Sequence, residues 1–249
     1  MAHFSDLHMH ALFGVDDGPK TEDDMYAVLD AAYADGTRYM CLTPHFHPGY
    51  YRSDMDNSAQ AFTLLEAYAG THYPDMHLAI GNELHYSKDC VSWLADGLCR
   101  TMNGTDYVLV DFADHTEART ITHGLHQLLN AGYTPILAHA ERYSKLHRSL
   151  KELKEYSTIG VLLQMDSQSI LGGFGLFTRE RARAMLKAHL VDFVSSDAHD
   201  TAKRPPQLSA VYAYIAQKYD TAMAQALCCH NGRQLLWGST VLEEETYYG

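Results

Sequence analysis

The sequence predicts an α/β protein whose parallel strands curl into an incomplete or distorted barrel, and three observations predict it. Strand-like and helix-like runs alternate along the 249 residues. Strand runs such as Tyr107-Val-Leu-Val, Pro135-Ile-Leu-Ala, Val161-Leu-Leu and Phe193-Val are short and apolar without strict alternation, as expected of strands covered on both faces. Acidic and imidazole side chains stand where seven such runs end. Strand alternating with helix argues for a parallel sheet. An open doubly wound sheet gathers its ligand at one switch point, whereas a barrel brings all its strand ends to one rim.

Residues 3–8 read as the first strand. Thr21-Glu-Asp-Asp opens a helix over 21–34, with Thr21 as cap and acids in the first turn, and Gly36 ends it. A strand near 38–43, a helix near 57–69 and strands near 76–81 and 106–111 follow. A helix near 117–130 stops at Gly132. Next come a strand at 134–138, a helix at 142–156, a strand at 158–165, a helix at 178–189 and a strand at 191–195. Helices near 207–217 and 220–230 close the chain.

No Pro/Gly/Ser-rich linker divides the chain, so residues 1–249 are expected to form a single domain. With 46% hydrophobic residues and no apolar run near bilayer length, a sizeable core and no direct membrane insertion are expected. The Met-Ala-His-Phe-Ser-Asp start lacks a basic region and a long apolar segment, which points to the cytoplasm. Cys41, Cys90, Cys99, Cys228 and Cys229 are odd in number and form no Cys-x-x-Cys pair, which fits reduced thiols. A formal charge of −12 argues against a nucleic-acid partner and against electrostatic docking on anionic lipid.

Nine side chains carry the chemistry: His8, His10, Asp17, His45, Glu83, Asp111, His139, Asp197 and His199. Alternation in Asp6-Leu-His8-Met-His10 puts both imidazoles on one side of a strand, with Leu7 and Met9 on the other. The same spacing recurs in Asp197-Ala-His199 and in Thr43-Pro-His45-Phe-His47. Histidine and carboxylate ligands without thiolate suit manganese, iron or zinc rather than calcium or a structural zinc knot. Glu83 has two oxygens and can bridge two ions. Among sixteen histidines, His3, His72, His77, His126, His147, His189 and His230 read as structural. Asp6 reads as a strand-end cap, and Asp17 or Asp111 could serve a turn or orient a ligand instead of binding metal. The doublets at both chain ends agree with the strand-terminal acids, which favours a metal site.

These residues resemble a known family. Asp6-x-His8-x-His10, Gly14-Val-Asp-Asp17-Gly-Pro-Lys, Thr43-Pro-His45, Gly81-x-Glu83, His139-Ala-Glu-Arg142-Tyr and Ser196-Asp197-Ala-His199 followed by Arg204-Pro-Pro are similar to motifs of one bacterial enzyme group. These are the tyrosine-protein phosphatases of the polymerase and histidinol phosphatase (PHP) superfamily, the capsule and exopolysaccharide regulators of the CpsB and YwqE type. The resemblance implies a distorted (β/α)7 TIM-like barrel with three divalent cations, usually manganese. It also implies a phosphotyrosine protein substrate, a bacterial tyrosine kinase controlling polysaccharide synthesis. By similarity, His8, His10, Glu83 and Asp197 hold one ion, Glu83, Asp111 and His139 a second, and Asp17, His45 and His199 a third. Arg142 and Arg204 match two arginines placed at the phosphate, and with Asp17 they form the catalytic set. The chain departs from the family in two places: Asp111 stands where Glu is usual, and Gln164-Met-Asp166 carries an acid where Asn is frequent.

No cysteine is followed by Arg at the spacing of a cysteine phosphatase, and the Gly-rich lysine loop of nucleotide-binding enzymes is missing. Metal-assisted hydrolysis remains, with cations roughly 3.5–4 Å apart that lower the pKa of a bridging water and align the resulting hydroxide with the leaving oxygen. The arginines then fork onto the non-bridging oxygens, and a rim residue such as His47 is a candidate proton donor. Two rivals differ in class: a histidinol phosphatase or other small phosphomonoesterase on the same barrel, and a non-catalytic metal-binding regulator. Residues 44–56, with Tyr50, Tyr51 and Arg52, suggest a mobile substrate-facing loop, and the Glu243–Gly249 tail with Tyr247 and Tyr248 reads as a disordered terminus.

Overall fold

The computed structural model describes residues 3–51, 55–146 and 150–245, with side chains of the last helix described to residue 238. Arg52, His147 and the Tyr247/Tyr248 pair lie outside the described residues.

The first half runs β1 (Phe4–Met9), α1 (Glu22–Asp35), β2 (Thr37–Leu42), β3 (His45–Phe46), α2 (Met55–His72), β4 (His77–Ile80), β5 (Glu83–His85), α3 (Cys90–Ala95), β6 (Tyr107–Asp111) and α4 (Ala118–Asn130). The second half runs β7 (Thr134–Leu137), α5 (Lys151–Thr158), β8 (Leu162–Asp166), α6 (Ser167–Leu171), α7 (Leu176–Lys187), β9 (Phe193–Ser195), α8 (Ser209–Lys218), α9 (Thr221–Gln225) and α10 (Asn231–Glu245). The capping signals act as expected at α1. The Thr21 hydroxyl accepts the Asp24 N–H at 3.2 Å, acids fill the first turn, and Gly36 closes the helix at φ 112°.

All strand pairs are parallel, in the orders β1-β2-β4 and β3-β5-β6-β7-β8-β9. The division falls at Thr43-Pro44, where proline offers no N–H to a ladder, and at Gly81-Asn82. Backbone bonds continue across it: Gly81 N–H donates to the Leu42 carbonyl at 2.8 Å, and Glu83 N–H to the Pro44 carbonyl at 3.2 Å. The first strand also meets the segment after the last. His10 N–H donates to Ala198 O at 2.8 Å, and Asp197 N–H to His8 O at 2.9 Å. The result is a curled parallel sheet that gathers its C-terminal strand ends on one side.

Leu7, Cys41, Ala79, Leu109, Ile136 and Phe193, one from each of six strands, pack together inside the curl. Helices cover the outside, α1 and α2 over a cluster with Met9, Met40 and Leu42, and α3 to α9 over a larger one, while α10 adds Leu236 to the inner cluster. Leu7 and Met9 therefore end in different clusters, contrary to strict alternation, because β1 carries a register shift between Asp6 and Met9.

Other elements also depart from expectation. The helix expected at 142–156 is a 3₁₀ turn over Ala140–Arg142 followed by α5, since His139 (φ 34°) and Leu150 (φ 54°) take left-handed conformations that interrupt a helical run. Residues expected to begin a strand at 158 finish α5, and Gly160 at φ 90° delays β8 to Leu162. The expected last helix becomes α9, a π-helical turn and α10, so the Glu243–Glu245 stretch is helical rather than a loose tail. Among the described residues, no helix is long and apolar enough to cross a membrane.

Candidate metal centre

All nine predicted side chains stand at the gathered strand ends. His8 is the last residue but one of β1, His10 follows that strand and Asp17 lies in the loop beyond it; His45 opens β3 and Glu83 opens β5; Asp111 closes β6; His139, Asp197 and His199 follow β7 and β9. His8, His10, Glu83, His139, Asp197 and His199 are buried, and Asp17 is the most exposed member, with 44% of its side chain accessible. His139 and Asp197 both hold φ values in the left-handed region (34° and 53°). Such backbone costs of order 1–3 kcal/mol and clusters at functional sites.

Three groups form. His8 Nε2 and His10 Nε2 face each other at 3.1 Å, with Asp197 Oδ1 3.5 Å from each and Glu83 Oε2 at 3.3 and 3.2 Å. Glu83, Asp111 and His139 form the second, where His139 Nε2 lies 3.0 Å from Glu83 Oε1. Asp17 Oδ1 lies 3.3 Å from His199 Nε2 and 3.5 Å from His45 Nε2, and His10 joins this third group. Glu83 thus touches both of its neighbours' territories, Oε1 facing His139 while Oε2 faces His8, His10 and His45, the last at 2.9 Å.

Partners behind the rings fix which nitrogen points inward. His8 Nδ1 sits 3.2 Å from Gln164 Oε1, His10 Nδ1 2.8 Å from Asp16 Oδ2, and His199 Nδ1 2.9 Å from the Asp197 carbonyl. Each partner accepts a proton on Nδ1 and leaves the Nε2 lone pair directed into the cluster, the arrangement of metal-bound histidines. Asp16 also accepts the N–H of Gly18 and of His45, both at 2.9 Å, so one carboxylate ties three site segments together.

The charges are strongly coupled. Burial alone would push His8 down, yet Glu83 and Asp197 outweigh it and raise its pKa to about 9. Burial likewise opposes protonation of His10, and Asp16 with Glu83 raises it well above the usual imidazole range. Burial would raise the Glu83 and Asp197 carboxyls, but surrounding imidazoles, with Arg204 and Arg142 beside Asp197, hold both well below theirs. Two imidazole lone pairs aimed at one point among ionised acids need either protons or a cation between them. The donors are all nitrogen and oxygen, and among the described residues His139 Nδ1 is buried without a hydrogen-bond partner. This set fits divalent transition metals.

Arg142 and Arg204 converge on one oxygen. Arg142 Nη2 donates to Asp197 Oδ2 at 2.9 Å, and Arg204 Nη2 donates to the same atom. Asp197 therefore presents Oδ1 to the histidines and Oδ2 to two guanidiniums. Arg142 also pairs with Asp166 at 2.6 Å, and Arg204 Nη1 lies 2.9 Å from His199 Nε2. His47 is set apart, stacked on His85 with ring centroids 4.0 Å apart.

Several participants carry no sequence signal of their own. Asp16 adjoins the expected Asp17 and shows no ligand spacing. Gln164 Oε1 accepts the His139 N–H at 2.6 Å and links that residue to His8. His85 Nδ1 lies 3.0 Å from Asp111 Oδ2. Asp6 is no simple cap: it is fully buried, accepts the Ser196 N–H at 3.1 Å, and burial lifts its pKa to about 6.

Known proteins resemble this chain in sequence and in fold. The family of capsular polysaccharide synthesis, CpsB/CapC, matches residues 4–237. The tyrosine-protein phosphatase CpsB of Streptococcus pneumoniae is 33% identical over 236 residues, 93% of this chain and 97% of its own. A solved chain from crystal structures of YwqE of Bacillus subtilis and CpsB of Streptococcus pneumoniae, described as unique metal-dependent tyrosine phosphatases, superposes with a TM-score of 0.85. That match has 26% identity and covers 93% of each chain. Histidinol phosphate phosphatase of Lactococcus lactis shares the fold at a TM-score of 0.59 and 14% identity, covering 92% of this chain and 97% of its own. With the family match spanning nearly the whole sheet and every strand-end ligand position, the chain belongs to the CpsB/CapC family.

Proposed function

We propose that this protein is a metal-dependent protein-tyrosine phosphatase of capsular or exopolysaccharide synthesis, acting in the cytoplasm on phosphotyrosine of a bacterial tyrosine kinase. The observation that carries this reading is Asp197, with one oxygen on the imidazole cluster and the other on Arg142 and Arg204. A phosphate that replaces Asp197 Oδ2 as acceptor would lie against the metal donors. The 33% identical relative named as a tyrosine phosphatase supports the substrate class.

We count β2 with β3 and β4 with β5 as interrupted strands, which gives a distorted (β/α)7 barrel in a single domain. Three cations, manganese by family resemblance, fit three donor groups: His8, His10 and Asp197 with Glu83; Glu83, Asp111 and His139; Asp17, His45 and His199. Divalent cations in such a cluster offset phosphoryl charge and acidify a water.

The protein's residues perform the rest. Gln164, Asp16 and the Asp197 carbonyl hold the Nδ1 protons of His8, His10 and His199, keeping their Nε2 atoms as donors. Arg142 and Arg204 turn from Asp197 to the non-bridging phosphate oxygens, where charge builds in the transition state. Asp17 contributes as a ligand of the most exposed group. Asp166 keeps the Arg142 guanidinium in place while Asp197 is released from it.

The test compares turnover of a phosphotyrosyl peptide with that of histidinol phosphate by the metal-loaded protein. A clear preference for the peptide is expected. Preference for histidinol phosphate would make the protein a small-molecule phosphatase, and hydrolysis of neither would leave a metal-binding regulator.

A further inference from the structure

Beside the metal centre lies an open cavity of about 470 Å³ whose lining includes Arg142, Phe174, Arg181, His115 and Ser144. The Arg142 guanidinium sits over the Phe174 ring, 4.3 Å from its centroid, while its Nη2 reaches Asp197. One face of the arginine is thus committed to an aromatic ring and one edge to the site of phosphate binding. The loop Gly172-Gly-Phe-Gly175 sets this geometry. Gly172 and Gly175 take φ values of 99° and 86°, open to glycine and costly for other residues, so the chain turns on both sides of Phe174.

The segment is also unusually apolar for a surface. Phe174 is 37% exposed, Leu176 58% and Phe177 82%, within four residues and next to a charged cavity. Large exposed apolar groups gathered in this way mark interaction sites. Arg181 adds positive charge. Its hydrogen bonds go to the Glu141 and Arg142 carbonyls and the Thr178 hydroxyl, and the carboxylates of Glu141 and Asp114, the latter in the cavity lining, offset part of that charge. An aromatic wall in contact with the phosphate-facing Arg142 suits an aryl phosphate. Tyr51, also near the ligands, is less suited, because its ring lies flat on His45 with centroids 4.8 Å apart.

We propose that Phe174 is a specificity-determining residue, the wall against which the aryl ring of the substrate packs while Arg142 grips the phosphate. This rests on the phosphatase reading above and adds to it a reason for selecting aryl over alkyl esters. A phosphoryl group held by Arg142 carries its aryl ring on the ester oxygen, and Phe174 is the aromatic side chain in contact with that arginine. Ring packing of this kind contributes about 3- to 10-fold in affinity.

The test is calorimetric binding of phenylphosphonate and methylphosphonate to the metal-loaded full chain, in wild type, Phe174→Ala and Phe174→Tyr. Wild type should favour phenylphosphonate about 3- to 10-fold, Phe174→Ala should bring the ratio close to one, and Phe174→Tyr should keep it. An unchanged ratio in Phe174→Ala overturns the proposal, including the case where both affinities fall together and Phe174 merely supports Arg142. Absence of phenylphosphonate preference in wild type overturns it too. Failure of the phosphatase reading shows separately, as wild type that does not hydrolyse a phosphotyrosyl peptide.

Discussion

Asp197 sits at the meeting point of two chemistries, and residue-level predictions follow from its two oxygens. Arg142→Ala should lower kcat/KM on a phosphotyrosyl peptide by about 100-fold or more while bound metal, by elemental analysis, stays at the wild-type level. Arg142→Lys should recover little, since an ammonium lacks the planar guanidinium that lies over the Phe174 ring and can fork onto two phosphate oxygens. Asp16 works from behind the ligands. Asp16→Asn would keep the shape but weaken the hold on the His10 Nδ1 proton, and metal affinity should fall about 10- to 100-fold in a chelator competition. The nine candidate positions that the fold brings together were legible because two-residue spacing and strand-end placement survive without a structure. Asp16, Gln164 and His85 were not, because their roles depend on what lies behind a ring, which spacing along the chain does not encode.

At the scale of elements, helix starts and apolar strands followed from local chemistry, whereas interruptions depended on tertiary contacts. The short strands β3 and β5 exist because His45 and Glu83 pair with each other across the breaks at Pro44 and Asn82. Neither is long enough to show a period. The turn carrying Asp17 is built on a close approach: a Cβ on Gly18 would lie 2.1 Å from the His10 carbonyl oxygen, so the backbone itself would have to move. Gly18→Ala should destabilise the fold by about 1–3 kcal/mol in urea denaturation and weaken metal binding as Asp17 is displaced. Gly70 is the opposite case, exposed inside α2 with open space around its Cα. Gly70→Ala should stabilise by roughly 0.5–1 kcal/mol, and a loss there would count against the described helix.

For the whole molecule, joining the first strand to the segment after the last places ligands from residue 8 to residue 199 in one buried cluster. The parallel class was readable from strand–helix alternation, and the gathering of strand ends from the acids and imidazoles where those runs end. The shift in β1 that sends Leu7 inward and Met9 outward was not, since a bulge leaves no mark in the hydrophobic pattern. The cluster also sets a pH dependence. His8 rises from 6.5 to about 9 in the fold without metal, because Glu83 and Asp197 overcome the opposing effect of burial. A raised imidazole stabilises fully below its unfolded value and ceases to as pH climbs through its folded value. The chelated protein should therefore lose thermal stability between about pH 6.5 and 9. The metal-loaded protein holds no proton at those nitrogens and should lack this decline, which paired melting curves would reveal.

The central claim is that these histidines and acids hold divalent cations on which phosphotyrosine hydrolysis depends. Elemental analysis of the purified chain, with phosphotyrosyl turnover measured before chelation, after it and after manganese is restored, tests that claim most directly. Bound divalent metal is expected in the isolated protein, with loss of turnover when the metal is removed and recovery on its return. Full turnover by metal-free protein would contradict it.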